Sequence, residues 1–385
     1  MVDSPVVFAG VLLLVAGAFP AVAARFPVRL FEVLPPIVLS YAAATALAMA
    51  GCWQASPGIE AVRSGILANL LPALVFLMLV RCDLRAIAAL GPRVLGAAAC
   101  STLTIVVGVV VAWLLWRPWL SADGWQVFSA LGATWVGGTA NLVAVSRAID
   151  ATPDTVSLAL VTDTVCYTAW VLALFVSVPL AARFNRWAGA ADSAERARPV
   201  AAPAPGRFVP ADVLVWLGGG LLVGAASAAV ADRLPSLGVL SATSWTILLA
   251  TAAGCIAAVT PLARVPGSDA VASSLLALLV VTMASTASLA GLERAPACVA
   301  AGFTVLAVHA VLLAGCARLF HLDLALCGIA SLANVGGVGS APVLAAAHAP
   351  ALAPVGVLLG LLGYVVGTPI GIALASFLPA LGGGG

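Results

Sequence analysis

Twelve apolar runs, most of them close to twenty residues long and almost free of charge, fill this chain. They lie at 5–24, 33–51, 64–80, 94–116, 126–146, 155–181, 211–231, 241–262, 270–291, 296–317, 324–348 and 352–378. A hydrocarbon core about 30 Å thick is crossed by roughly 20 apolar residues of helix, so the pattern predicts a polytopic membrane protein. Composition points the same way. Of 385 residues, 63% are hydrophobic and 8% charged, with a mean hydropathy of +1.16. Soluble domains run near ~45–50% apolar and ~25% charged. A chain this apolar cannot cover itself with polar surface and needs lipid around it. Cytosolic enzyme, nucleic-acid binder and secreted disulfide scaffold are excluded on that ground.

Charge and cysteine add little chemistry. The seventeen basic residues are all Arg, and fifteen acids leave a net charge of +2, so nothing calls for a nucleic acid or other acidic partner. The eight Cys (52, 82, 100, 166, 255, 298, 316 and 327) show no CxxC spacing and read as small hydrophobes inside helices. AVAA at 21–24 resembles a signal-peptide cleavage site, yet MVDSP before the first run carries no positive charge while Arg25 and Arg29 follow it. A signal peptide has the opposite bias. The expectation is a retained span with its N-terminus outside a plasma membrane.

A polar, Pro- and Ala-rich stretch at 183–210 reads as a cytoplasmic linker between two transmembrane halves, 1–182 and 211–385. Each half has a fifth element interrupted by small residues. These are 126–148, containing GATWVGGTANLVAVSRA, and 324–348, containing ASLANVGGVGSAPVLAAAH. The element after each carries a Tyr in its middle, Tyr167 and Tyr364. Broken helices at matching places are the sequence sign of a transporter repeat. If all twelve elements cross, Arg divides eight against nine between the two sides. If both broken elements are re-entrant hairpins, twelve fall on the cytoplasmic side and five outside, the bias that membrane insertion favours. Each half then has five crossing spans, an odd number, and the second half is inverted. The expected fold is an all-α polytopic membrane protein. It has two inverted repeats of five spans, each with a Gly-rich element that is either re-entrant or a crossing broken helix.

Chemistry gathers at those breaks. Gly137, Gly138 and Thr139 in the first, with Gly336, Gly337 and Ser340 in the second, stand where unwinding frees backbone N–H groups for a small anion or zwitterion. Asp163 is the one carboxylate well inside a run, and placing it at a helix centre costs roughly 2.5–3.5 kcal/mol. With Thr164, Asn141 and Asn334 it forms the expected ion-binding set, for Na⁺ in preference to H⁺, with H⁺ the second choice of coupling ion. His309 reads as a hydrogen-bonding partner between helices. Neither a Walker motif nor HExxH occurs, and the three His are not spaced as metal ligands, so no metal or organic cofactor is expected. Two other readings stay open. One is a monovalent cation/proton exchanger working through Asp163. The other is an intramembrane serine hydrolase with Ser340 as nucleophile and His348 as base.

At these residues the chain resembles a known group. GGTANLVAVSRAI (137–149), VTDTVCY (161–167), ANVGGVGSAPVLAAAH (333–348) and GVLLGLLGYVVGTPIG (356–371) are similar to the YjcL-like integral membrane family, whose function is unknown. That family is grouped with sodium/glutamate symporters and, more distantly, with the cation/proton antiporter and bile-acid symporter superfamily. The resemblance implies an inverted repeat, a scaffold with a mobile core, a homodimer, and ion-coupled, elevator-like transport. It falls on Gly137, Gly138, Asn141, Asp163, Asn334, Gly336 and Gly337. Antiporters of the wider group commonly pair two acids, whereas Asp163 stands alone. The reading reached is a secondary transporter, not an enzyme, for a small carboxylate or amino acid.

Overall fold

The computed structural model describes residues 2–26, 31, 36–53, 56–80, 82, 84–190, 208–236, 241–286 and 294–381. Among these, regular structure is helical, apart from one isolated bridge between Val2 and Trp53. Helices are the expected answer for apolar segments in lipid, because each closes its own backbone hydrogen bonds. In chain order they are α1 (Pro5–Arg25), α2 (Pro36–Met49), α3 (Pro57–Val80), α4 (Leu84–Ala89), α5 (Gly91–Trp116), α6 (Gly124–Gly137), α7 (Thr139–Ala148), α8 (Pro153–Ser177) and α9 (Ala181–Ala188). The second half contributes α10 (Ala211–Ala231), α11 (Ala242–Ala258), α12 (Ser268–Ala284), α13 (Ala295–Phe320), α14 (Leu324–Val335), α15 (Gly337–His348) and α16 (Ala353–Leu381).

Seven helical stretches of the described residues are long and apolar enough to cross a membrane: Pro5–Arg25, Pro57–Val80, Pro92–Trp119, Pro153–Ala188, Ala211–Ala231, Ala295–Phe320 and Ala353–Leu381. The protein is a multi-pass membrane protein. α2, α11 and α12 are apolar but shorter, at 14, 17 and 17 residues, so length alone does not assign all ten expected spans. The stretch 183–210 starts inside α9, whose Asn185 Oδ1 accepts from Leu324 N (2.9 Å) at the start of α14. Residues 191–207 of the expected linker lie outside the described residues.

Both broken elements turn back on themselves. α6 has 14 residues and α7 has 10, lengths of about 21 and 15 Å at 1.5 Å per residue. Gln126, near the start of α6, donates through Nε2 to Ile149 O just after α7 (3.2 Å). The two ends of the pair therefore lie side by side. α14 and α15 do the same. A Cβ built on Gly328 would stand 3.5 Å from Leu344 Cδ2 and 3.9 Å from His348 Nε2, so the end of α15 returns beside the first half of α14.

The helices sort into two bundles. α1, α2, α3, α10, α11 and α12 pack chiefly on one another with α3 at their centre. The second bundle holds α5 to α8 and α13 to α16, built around the pairs α5–α13, α6–α16 and α15–α16. Contacts between the bundles are thinner and include α7 with α11 and α16 with α3. Polar links cross there too: Tyr41 Oη to Ser157 Oγ (2.6 Å), and Ser244 Oγ donating to Ala148 O (3.1 Å).

Candidate functional site

α16 organises the second bundle through spacing alone. Gly356, Gly360, Gly363, Gly367 and Gly371 recur at intervals of three and four and share one face of the helix. The first two meet α15 at Ala341 and Val338, and the others meet the first hairpin at Val136, Asn141 and Ala133. One glycine-lined helix thus holds both hairpins. Small residues let helix backbones approach closely where no hydrophobic effect drives them together.

The tips differ in geometry but share one property. The first turns at Gly138, with φ 81° and ψ 174°, a region open in practice only to glycine. The second turns at Gly336–Gly337, where Gly337 has φ 63°. Neither α7 nor α15 has a side-chain hydrogen bond capping its N-terminus, whereas α8, α11 and α14 are capped by Thr152, Ser241 and Asp323. The first N–H groups of α7 and α15 are left to whatever occupies the space before them. The tyrosines are exchanged between halves. Tyr364 packs over the first tip, its Cε1 3.4 Å from where a Gly138 Cβ would be. Tyr167 packs over the second, its Cε2 2.9 Å from a Gly336 Cβ.

A cavity of about 230 Å³ lies between the two tips and the first bundle. Of the residues singled out in the sequence, Gly138, Thr139, Asp163, Thr164, Gly336, Gly337 and both tyrosines line it. Asp163 is half-buried, and its Oδ1 accepts from Trp135 Nε1 at 2.7 Å. The carboxylate is thus oriented by a neutral donor, and among the described residues no opposite charge pairs with it. Thr164 Oγ1 donates to Leu160 O (2.8 Å), which leaves the lone pairs of that oxygen for a cavity occupant.

The other expected site residues stand behind the cavity. Asn141 and Asn334 do not line it. Asn141 Nδ2 donates to Gly137 O (2.6 Å) and its Oδ1 accepts from Thr368 Oγ1 (2.5 Å), closing the carbonyl freed at the first break. Asn334 Nδ2 donates to Ser101 Oγ and Thr102 Oγ1, both at 3.1 Å. Both amides position a tip. Gly137 underlies the tip against Asn141 and α16. Ser340 Oγ is buried beside Gly336 without a hydrogen-bond partner among the described residues. Ser340 and His348 are eight residues apart on α15, about 12 Å along its axis, too far for a nucleophile–base pair.

Sequence reading missed Trp135, Thr134 and the wall supplied by Ile37, Val38, Met78 and Leu276. Trp135 lies three residues before Gly138, but only the packing of α6 on α8 brings it to Asp163. His309 has the structural part expected of it. It is fully buried, with Nδ1 2.8 Å from Thr104 Oγ1 and Nε2 2.8 Å from Ser331 Oγ, which also accepts from Trp170 Nε1 (2.9 Å). Thr104 donates onward to Cys100 O (2.8 Å), so the bonds run one way through a neutral Nδ1–H ring. This chain ties α5, α8, α13 and α14 together. His309→Ala is expected to lower stability in detergent by about 1–3 kcal/mol, with His309→Gln recovering part of the loss, as read by thermal unfolding.

Among the described residues, no cluster of His, Cys, Asp and Glu could hold a metal ion. No curated protein sequence matches the chain. A family profile described as protein of unknown function (DUF819) matches residues 10–381. That match covers nearly the whole length, and the protein belongs to the DUF819 family.

Proposed function

We propose that the protein is an ion-coupled secondary transporter of a small carboxylate or amino acid. The observation that carries this reading is the cavity, in which two uncapped helix N-termini and one carboxylate face the same space between two helix bundles. A cation, Na⁺ in preference to H⁺, is held at Asp163 with oxygens of Thr164 and the tip backbone. The solute carboxylate is held by free N–H groups at Gly138–Thr139 and Gly336–Gly337, where the helix dipoles favour negative charge. Asn141, Asn334 and Gly137 fix the tips, and Ser340 backs the second.

The inverted repeat is supported by the exchange of partners. α1 and α2 pack on α12 as α10 and α11 pack on α3, and α5 meets its counterpart α13 directly. Read this way, the hairpins are re-entrant from opposite sides, and the second bundle is a core moving against the first. Thin contacts between the bundles suit such movement. Ion and solute then raise each other's affinity, since both favour one filled state.

The test is thermal stability of purified protein with Na⁺ replaced stepwise by K⁺. Ligand binding to the folded state adds RT ln(1 + [L]/Kd), about 2.7 kcal/mol at a hundredfold excess over Kd. A Na⁺-specific rise that grows when a transported solute is added is the expected result. A cation response with no solute response from any carboxylate or amino acid would point to cation exchange instead. No response to cation or solute would end the carrier reading.

A further inference from the structure

Resting on the carrier reading, we infer that the solute is a monocarboxylate with a short, uncharged, apolar tail. The cavity has two unlike faces. The second bundle supplies all the polar side chains, Asp163, Thr134, Thr139, Thr164 and the two tyrosines, and the backbone of the tips, together with the apolar Leu160, Val335 and Val338. The first bundle supplies Ile37 and Val38 from α2, Met78 from α3 and Leu276 from α12, and these are entirely apolar. A solute that fills this space has its polar head at the tips and an apolar remainder on the opposite wall.

Charge sets the number of carboxylates at one. Among the described residues no Arg or His lines the cavity, and the chain has no Lys. The two tips can receive one head group between them. A second carboxylate on the same small solute would point at the apolar wall or at Asp163. Buried charge without a partner costs several kcal/mol, so dicarboxylates are selected against. Size sets the tail. A cavity of about 230 Å³ equals roughly eight waters at ~30 Å³ each, room for a solute of about eight non-hydrogen atoms. A carboxylate head and an α-carbon leave a tail of three or four carbons.

The experiment uses full-length protein in proteoliposomes with an inward Na⁺ gradient, repeated with a proton gradient. Uptake of valine and isovalerate is compared with that of glycine, acetate, succinate and glutamate. Valine or isovalerate is expected to lead, and the difference between them reports whether an α-amino group is recognised. Each buried methylene contributes about a fourfold preference, from ~0.8 kcal/mol per group. The preference for valine over glycine, or isovalerate over acetate, should fall about tenfold in Met78→Ser. Val38→Ala gives a smaller drop and guards against misfolding of the first variant, whose folded state is checked by its thermal transition. Leading uptake of succinate or glutamate, or equal uptake of glycine and valine, would overturn this inference and leave the carrier reading standing. Uptake of none of these solutes under either gradient would overturn both.

Discussion

Asp163→Asn should give a folded protein that no longer responds to its coupling cation. Asn has nearly the volume of Asp, and its amide oxygen still accepts from Trp135 Nε1, so the contact between α6 and α8 is kept. What is lost is the one negative charge facing the cavity among its lining residues. Opposite unit charges 4 Å apart interact by about 4 kcal/mol at an effective dielectric of 20, equivalent to roughly a thousandfold in affinity. Stabilisation by Na⁺ at concentrations that saturate the wild type should disappear, and ion-driven uptake should fall by at least two orders of magnitude. Thermal shift and proteoliposome uptake on the same preparation check both. Wild-type Na⁺ stabilisation in the variant would mean that the cation binds elsewhere and that Asp163 serves only to hold Trp135. Asp163→Glu is the companion variant: it keeps the charge but lengthens the side chain, and should retain a weakened response.

Gly363→Val should be the most damaging single change in α16. At Gly363 that helix lies directly against the carbonyl of Val136, at the base of the first tip. No side chain fits between them without separating α16 from α6. Three further contacts depend on the same approach: Thr368 to Asn141, Gly367 to the Asn141 side chain, and Tyr364 over Gly138. Overpacking in a closed site costs about 1–3 kcal/mol, and more where backbone must move. We expect a loss of at least 3 kcal/mol, seen as a collapsed yield of monodisperse protein or a transition many degrees lower. Gly10→Val on α1, where no atom lies within 4 Å of the position a Cβ would take, is the control and should be close to neutral. If Gly363→Val folded and unfolded like the wild type, the close packing of α16 on the first tip would be wrong.

The cavity-facing set was half legible in the sequence. Two breaks with paired glycines, a mid-run carboxylate and two matched tyrosines can be found by reading along the chain, and the structure brings them around one cavity. The exchange of tyrosines between tips could not be found that way. It depends on α16 crossing the first hairpin and α8 approaching the second. Nor could the linear pattern tell Asn141 and Asn334 from cavity ligands, because an Asn next to a glycine break looks the same whether it meets solute or closes a freed carbonyl. Both amides turn out to be engaged by Gly137, Thr368, Ser101 and Thr102.

Hydropathy by itself determined that this protein lives in a bilayer and is built from helices. A continuous apolar run of span length needs lipid as its solvent, and a helix closes its backbone hydrogen bonds within the segment, whereas barrel strands are about half as long and alternate in polarity. Glycine and charge, also local signals, marked where that helical pattern is broken. How the two arms of a broken element pack was a tertiary matter: Gln126 meets Ile149 in the first, and Gly328 lies beside His348 in the second. The partner of Asp163 and the apolar wall facing it were tertiary as well. Both come from helices distant in sequence, and side-chain contacts between such helices follow from packing angles and close approach, which an apolar stretch encodes only weakly.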